Sequence, residues 1–147
     1  MEKITLSIIA LLGLITAFKF KGIFHKVIII GITLAILITW VKIPIILTIS
    51  IMIMLIMAIT TLIYGLWAKE LRTIERNSLV TMGGFLAIDL TFAILHLPGA
   101  EKANIMLLIP IVLTIISYRK HRELTKEMSF LFVFFVMACF EFVFIWI

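Results

Sequence analysis

The chain is poor in what a water-soluble domain needs. Lysine, arginine, aspartate and glutamate make up only 14% of its 147 residues, against about a quarter in ordinary globular domains. No polar segment exceeds about ten residues, so no soluble domain fits between the apolar runs. The single cysteine, Cys139, excludes an internal disulfide. No CxxC, nucleophile elbow or phosphate-binding glycine loop is present. His25 and His121 have no acid or cysteine at ligand spacing, which leaves no metal site. With no catalytic constellation, the reading is of a protein that is not an enzyme and uses no cofactor.

What is present is hydrocarbon. Hydrophobic residues are 64% of the chain and the mean hydropathy is +1.30. In water such a chain would expose large apolar patches, so its solvent is lipid. The net charge of +5 then reads as basic cytoplasmic loops rather than a nucleic-acid surface. The expected fold is all-α, a polytopic helical membrane bundle in a single integral domain, 1–147. Six transmembrane helices are expected at about 4–18, 27–40, 43–66, 79–97, 104–118 and 128–147. A crossing takes ~20 residues at ~1.5 Å each, so the first, second and fifth spans are short. The second and third are divided only by "TWVKIPII". A turn is required there, because one helix from Val27 to Trp67 would run ~60 Å, twice the bilayer. Lys42 and Pro44 are its punctuation. The N-terminal run has a basic start but no small-residue cleavage site, and reads as a retained helix.

The basic residues orient the chain. Lys3, Lys42 and Lys102 fall on one side of a six-span threading. Lys19, Lys21, Lys26, Lys69, Arg72, Arg76, Arg119, Lys120, Arg122 and Lys126 fall on the other. Positive residues stay in the cytoplasm, so both termini are expected outside. A five-span chain would split these charges less sharply. Glu2, Lys3, Thr5 and Leu6 also correspond to Glu75, Arg76, Ser78 and Leu79, half a chain apart. This spacing admits two inverted three-helix halves, although apolar segments also align by chance.

The candidate chemistry lies inside the lipid. Asp89 interrupts the apolar run "FLAIDLTFAIL". A mid-helix aspartate costs roughly 2.5–3.5 kcal/mol of insertion, and such residues bind ions or protons, or glue helices together. At helical spacing Asp89 shares a face with Phe92, Ala93 and His96. His96 could relay protons from outside water. Glu141, in the last span, reaches a similar depth and could share a proton with Asp89. Against these stand plainer readings: a structural acid, and a histidine and a glutamate at the interface. Gly83, Ala87 and Thr91 form a small-residue stripe on nearly the opposite face, suited to close helix packing.

The stretch "FAILHLPGA", with Phe92, His96, Pro98, Gly99 and Ala100, resembles a corner between two membrane helices in the gliding-motility motor subunit family of the Bacteroidota. It also looks like related small membrane proteins of that phylum. The likeness covers about residues 83–118. It implies a bacterial inner-membrane protein with this corner facing out. Ala93 stands where the family has a lysine, the fifth span has no acid, and the family's long cytoplasmic region is absent, so motor function does not follow. The expectation is an accessory or structural subunit in the lipid bilayer, binding its own copies as a homo-oligomer or another membrane subunit. The alternative is a small proton- or cation-coupled transporter centred on Asp89. No nucleic-acid partner is expected.

Overall fold

The computed structural model describes residues 2–19, 23–41, 43–95, 106, 108–121 and 130–137. Among them are α1 (Glu2–Phe18), α2 (Phe24–Ile38), α3 (Pro44–Trp67), α4 (Thr73–Leu95) and α5 (Leu108–His121). A further helical stretch, α6, covers 130–137. No strand occurs among the described residues. The secondary structure of the described residues is all-helical, and α3 and α4, of 24 and 23 residues, are long and apolar enough to cross a membrane. The helices α1 and α2 are apolar but shorter.

The breaks have local causes. Pro44 at the first turn of α3 lacks the N–H that a helix start leaves unpaired anyway. Ile43 before it is extended, at φ −99° and ψ 125°, as the residue before a proline must be. The chain therefore turns between Ile38 and Pro44, as the length argument requires; Lys42 lies outside the described residues. Helix α4 starts at Thr73, several residues before the apolar run near 79. Hydropathy detects only the apolar part of a helix, whereas the polar opening "TIERNS" is also helical.

From α1 to α4 successive helices are antiparallel. Lys3 at the start of α1 donates to the Thr39 carbonyl just past α2 (2.8 Å), where a cation complements the helix C-terminus. Trp40 Nε1 donates to the Ser7 hydroxyl (3.0 Å), and Thr33 reaches the Ala10 carbonyl (3.4 Å). The hydroxyl of Ser50 in α3 donates to Ala35 in α2 (2.7 Å). Small residues make these approaches possible: Ala10 and Ala17 of α1, and Ala58 and Gly65 of α3, face the core. The core joins Ile28, Ile29 and Ile32 of α2 to Leu79, Met82 and Leu86 of α4 and to Phe130 and Phe134 of α6. One end of the α1–α4 array carries Lys19, Lys26, Lys69, Arg72 and Arg76; the other carries Lys3.

Candidate functional site

The tightest seam joins α3 to α4. A β-carbon on Gly83 would stand 2.6 Å from the Leu62 nitrogen and 2.7 Å from the Ala58 carbonyl oxygen, both backbone atoms. One on Gly65 would meet the Leu79 β-carbon at 2.9 Å and the Val80 nitrogen at 3.1 Å. Glycine is therefore required at 83 by contact, whatever its effect on helix propensity. Ala87 and Thr91 are only half-buried, and the Thr91 hydroxyl is spent on the Ala87 carbonyl (2.6 Å). The close approach belongs to Gly83, and the stripe drifts away from it along the helix.

Seven residues of α4 are buried: Glu75, Ser78, Leu79, Met82, Gly83, Leu86 and Asp89. At 100° per residue they span one arc of roughly 140°. Gly83 lies at one edge, with Asp89 and Ser78 toward the other. Gly83 and Asp89, expected on different faces of α4, thus belong to one continuous buried wall bridged by Leu79, Met82 and Leu86, while Ala87 and Thr91 lie outside it.

Asp89 is 7% exposed, and no hydrogen bond or ion pair joins it to another described residue. It stands about 24 Å along the axis from Thr73 and about 9 Å from Leu95. His96, Glu141 and the Pro98–Gly99 corner lie outside the described residues.

Two buried polar groups at the other end of α4 escape a hydropathy reading. Glu75 is 6% exposed and Ser78 fully buried. Most buried or half-buried helix hydroxyls here bond their own backbone: Thr33 to Ile29, Thr61 to Met57 and Thr114 to Pro110. Ser78 Oγ has no partner among the described residues. The spacing of Glu75 and Ser78 by three residues could have shown that they share a face. Between Ser78 and Asp89 that wall presents Met82 and Leu86, both fully buried. No polar side chain on it links the two ends. Among the described residues no group of three histidines, cysteines or acids is placed to hold a metal ion. The arrangement offers a buried carboxyl near one end of α4, a buried carboxyl and hydroxyl near the other, and an apolar plug between.

No protein-family model, curated protein or solved structure matches the chain.

Proposed function

We propose that the chain is a six-span protein of a bacterial inner membrane with both termini outside. Its role is that of an accessory or structural subunit, acting through helix–helix contacts with its own copies or with another membrane subunit. The outer wall of α3 carries this reading. Its inner wall, Ser50, Met54, Ala58, Thr61 and Gly65, is buried in the bundle. Its outer wall exposes Ile45, Ile49, Met52, Ile56, Ile59, Ile63 and Leu66, a strict alternation of four- and three-residue steps. Large aliphatic side chains at that period form the seam through which helices interlock as knobs into holes. Trp40 and Trp67 lie beyond or at its two ends, both exposed, as residues of the two membrane interfaces would be. The charge asymmetry between the loops supports the threading, and the likeness at the "HLPGA" corner supports the inner membrane. Cysteines placed singly along α3 in a Cys139→Ser background should cross-link between copies at positions 49, 52, 56, 59 and 63. They should not do so at 54, 58 or 61. A monomer that also purifies without any other membrane subunit would overturn this role.

The buried Asp89, without a partner among the described residues, favours a second reading, a proton- or cation-coupled transporter. The plug at Met82 and Leu86 would then have to part to admit the ion from the inner end. Asp89→Asn keeps size and hydrogen-bonding capacity but cannot titrate. It should abolish a pH-dependent flux in proteoliposomes if transport is the function. Wild-type protein that moves no proton, sodium or potassium would remove this second reading.

A further inference from the structure

At the end of the bundle where α1 passes into α2 and α3 into α4, a cleft of about 360 Å³ lies among Phe24, His25, Tyr64, Trp67, Lys69 and Glu70. One wall is aromatic: the Phe24 and Tyr64 rings stack with centroids 5.8 Å apart and planes 26° from parallel. Inside, His25 is 2% exposed, and its Nε2 lies 3.2 Å from the Ala17 carbonyl, which ties this end of α2 to α1. Trp67, the last residue of α3, is 79% exposed. The surroundings are cationic. Lys19, Lys69, Arg72 and Arg76 are exposed, and Lys26 is half-buried with its ammonium 5.6 Å from the centre of the Phe18 ring. The acids described at this end are Glu70 and the buried Glu75.

An aromatic wall, an exposed tryptophan and an excess of cations on the loop side suit a ligand with an anionic head and an apolar body. We propose that this cleft binds an acidic phospholipid, with its phosphate at Lys69 and its acyl chains descending the outer face of α2, where Val27, Ile30 and Leu34 are exposed. The proposal rests on the membrane reading above. The cleft is at the small end of the ~300–1,000 Å³ typical of ligand sites, enough for a headgroup but not for its chains. Basic recesses at the cytoplasmic ends of membrane helices bind such headgroups. Glu70 in the lining opposes a multiply charged head and favours a single phosphodiester, as in phosphatidylglycerol. An alkylammonium ligand fits less well: Phe24 and Tyr64 stack on each other rather than boxing a cation, and the neighbouring lysines repel it.

The test is native mass spectrometry of the full chain titrated with phosphatidylglycerol, phosphatidylcholine of the same chain length, or inorganic phosphate. One phosphatidylglycerol should be retained in preference to phosphatidylcholine. Lys69→Gln should weaken that retention about fivefold, the effect of one cation at an anionic headgroup. Lys69→Arg should restore it, and Lys3→Gln, at the opposite end, should leave it unchanged. Equal retention of the two lipids would overturn the proposal, as would equal loss in Lys3→Gln and Lys69→Gln. Inorganic phosphate displacing the lipid at the same site would also overturn it, by marking a free-anion site. Extraction of membranes at alkaline pH separates the two readings: a chain washed off removes the membrane reading itself, whereas a retained chain without lipid selectivity removes only this site.

Discussion

Gly83 and Gly84 are neighbours with opposite demands. A β-carbon at 83 would strike the α3 backbone, whereas at 84 the nearest contact is the Leu62 Cδ1 at 3.9 Å. Forcing a methyl group into a closed helix seam costs about 1–3 kcal/mol. Adding one where there is space gains up to about 1 kcal/mol in helix propensity. Gly83→Ala should therefore lower the thermal unfolding midpoint in detergent, and Gly84→Ala should leave it unchanged or raise it. Asp89 calls for the same differential treatment. If it glues helices, Asp89→Asn should be nearly silent in stability, while Asp89→Leu should cost roughly 0.5–2 kcal/mol, the range of hydrogen bonds between membrane helices. Asp89→Leu that stabilises the protein without affecting transport would mean that the carboxyl has neither a partner nor an ion. The presence of an odd acid at 89 and a small residue at 83 is legible in the sequence, because charge and side-chain size are properties of one residue. What surrounds them is not legible: the arc from Gly83 to Asp89 is continuous only because Leu79, Met82 and Leu86 turn to the same core.

At the scale of the helix, α3 shows how far an apolar pattern can be read. Its run from Pro44 to Trp67 is almost wholly hydrocarbon, so hydropathy gives its length and nothing about its faces. The faces emerge from size. Ser50, Ala58, Thr61 and Gly65 turn inward, where a neighbouring backbone needs room, with Met54 the one large side chain among them, and isoleucine dominates the outer wall. Pairing Ile56→Ala with Ile59→Ala should weaken cross-linking between copies while sparing the bundle, since both side chains are largely exposed. Loss of the fold in that variant would place the outer wall inside the protein's own core. Helix α4 carries the complementary lesson. Its polar first turn extends beyond the hydrophobic run, and there the buried Glu75 and Ser78 sit. The internal correspondence fares unevenly at this scale: Leu6 and Leu79 are both buried, but Thr5 is exposed where Ser78 is fully enclosed. Similar letters in two helices need not occupy similar surroundings.

For the molecule as a whole, apolar residues lie on both sides of the helices. Ile8, Leu12 and Ile15 of α1, Leu34 of α2 and Ile56 of α3 are exposed, and in water they would drive aggregation. The described cations gather at one end of the α1–α4 array, leaving Lys3 at the other. That end-to-end asymmetry was countable in the sequence because it needs only the order of spans. The cleft between Phe24 and Trp67 was not, since it forms from two loops 45 residues apart whose meeting depends on the packing of α2 on α3. If the bilayer separates the two ends, their accessibility from outside the cell differs. In a Cys139→Ser background, single cysteines replace Lys19, Val41 or Arg72, all exposed, and intact cells with a permeabilised outer envelope are treated with a membrane-impermeant maleimide. The maleimide should label 41 and leave 19 and 72 protected until the membrane is broken. Labelling at 19 and 72 with protection at 41 would reverse the threading, and equal labelling at all three would contradict a membrane-spanning array.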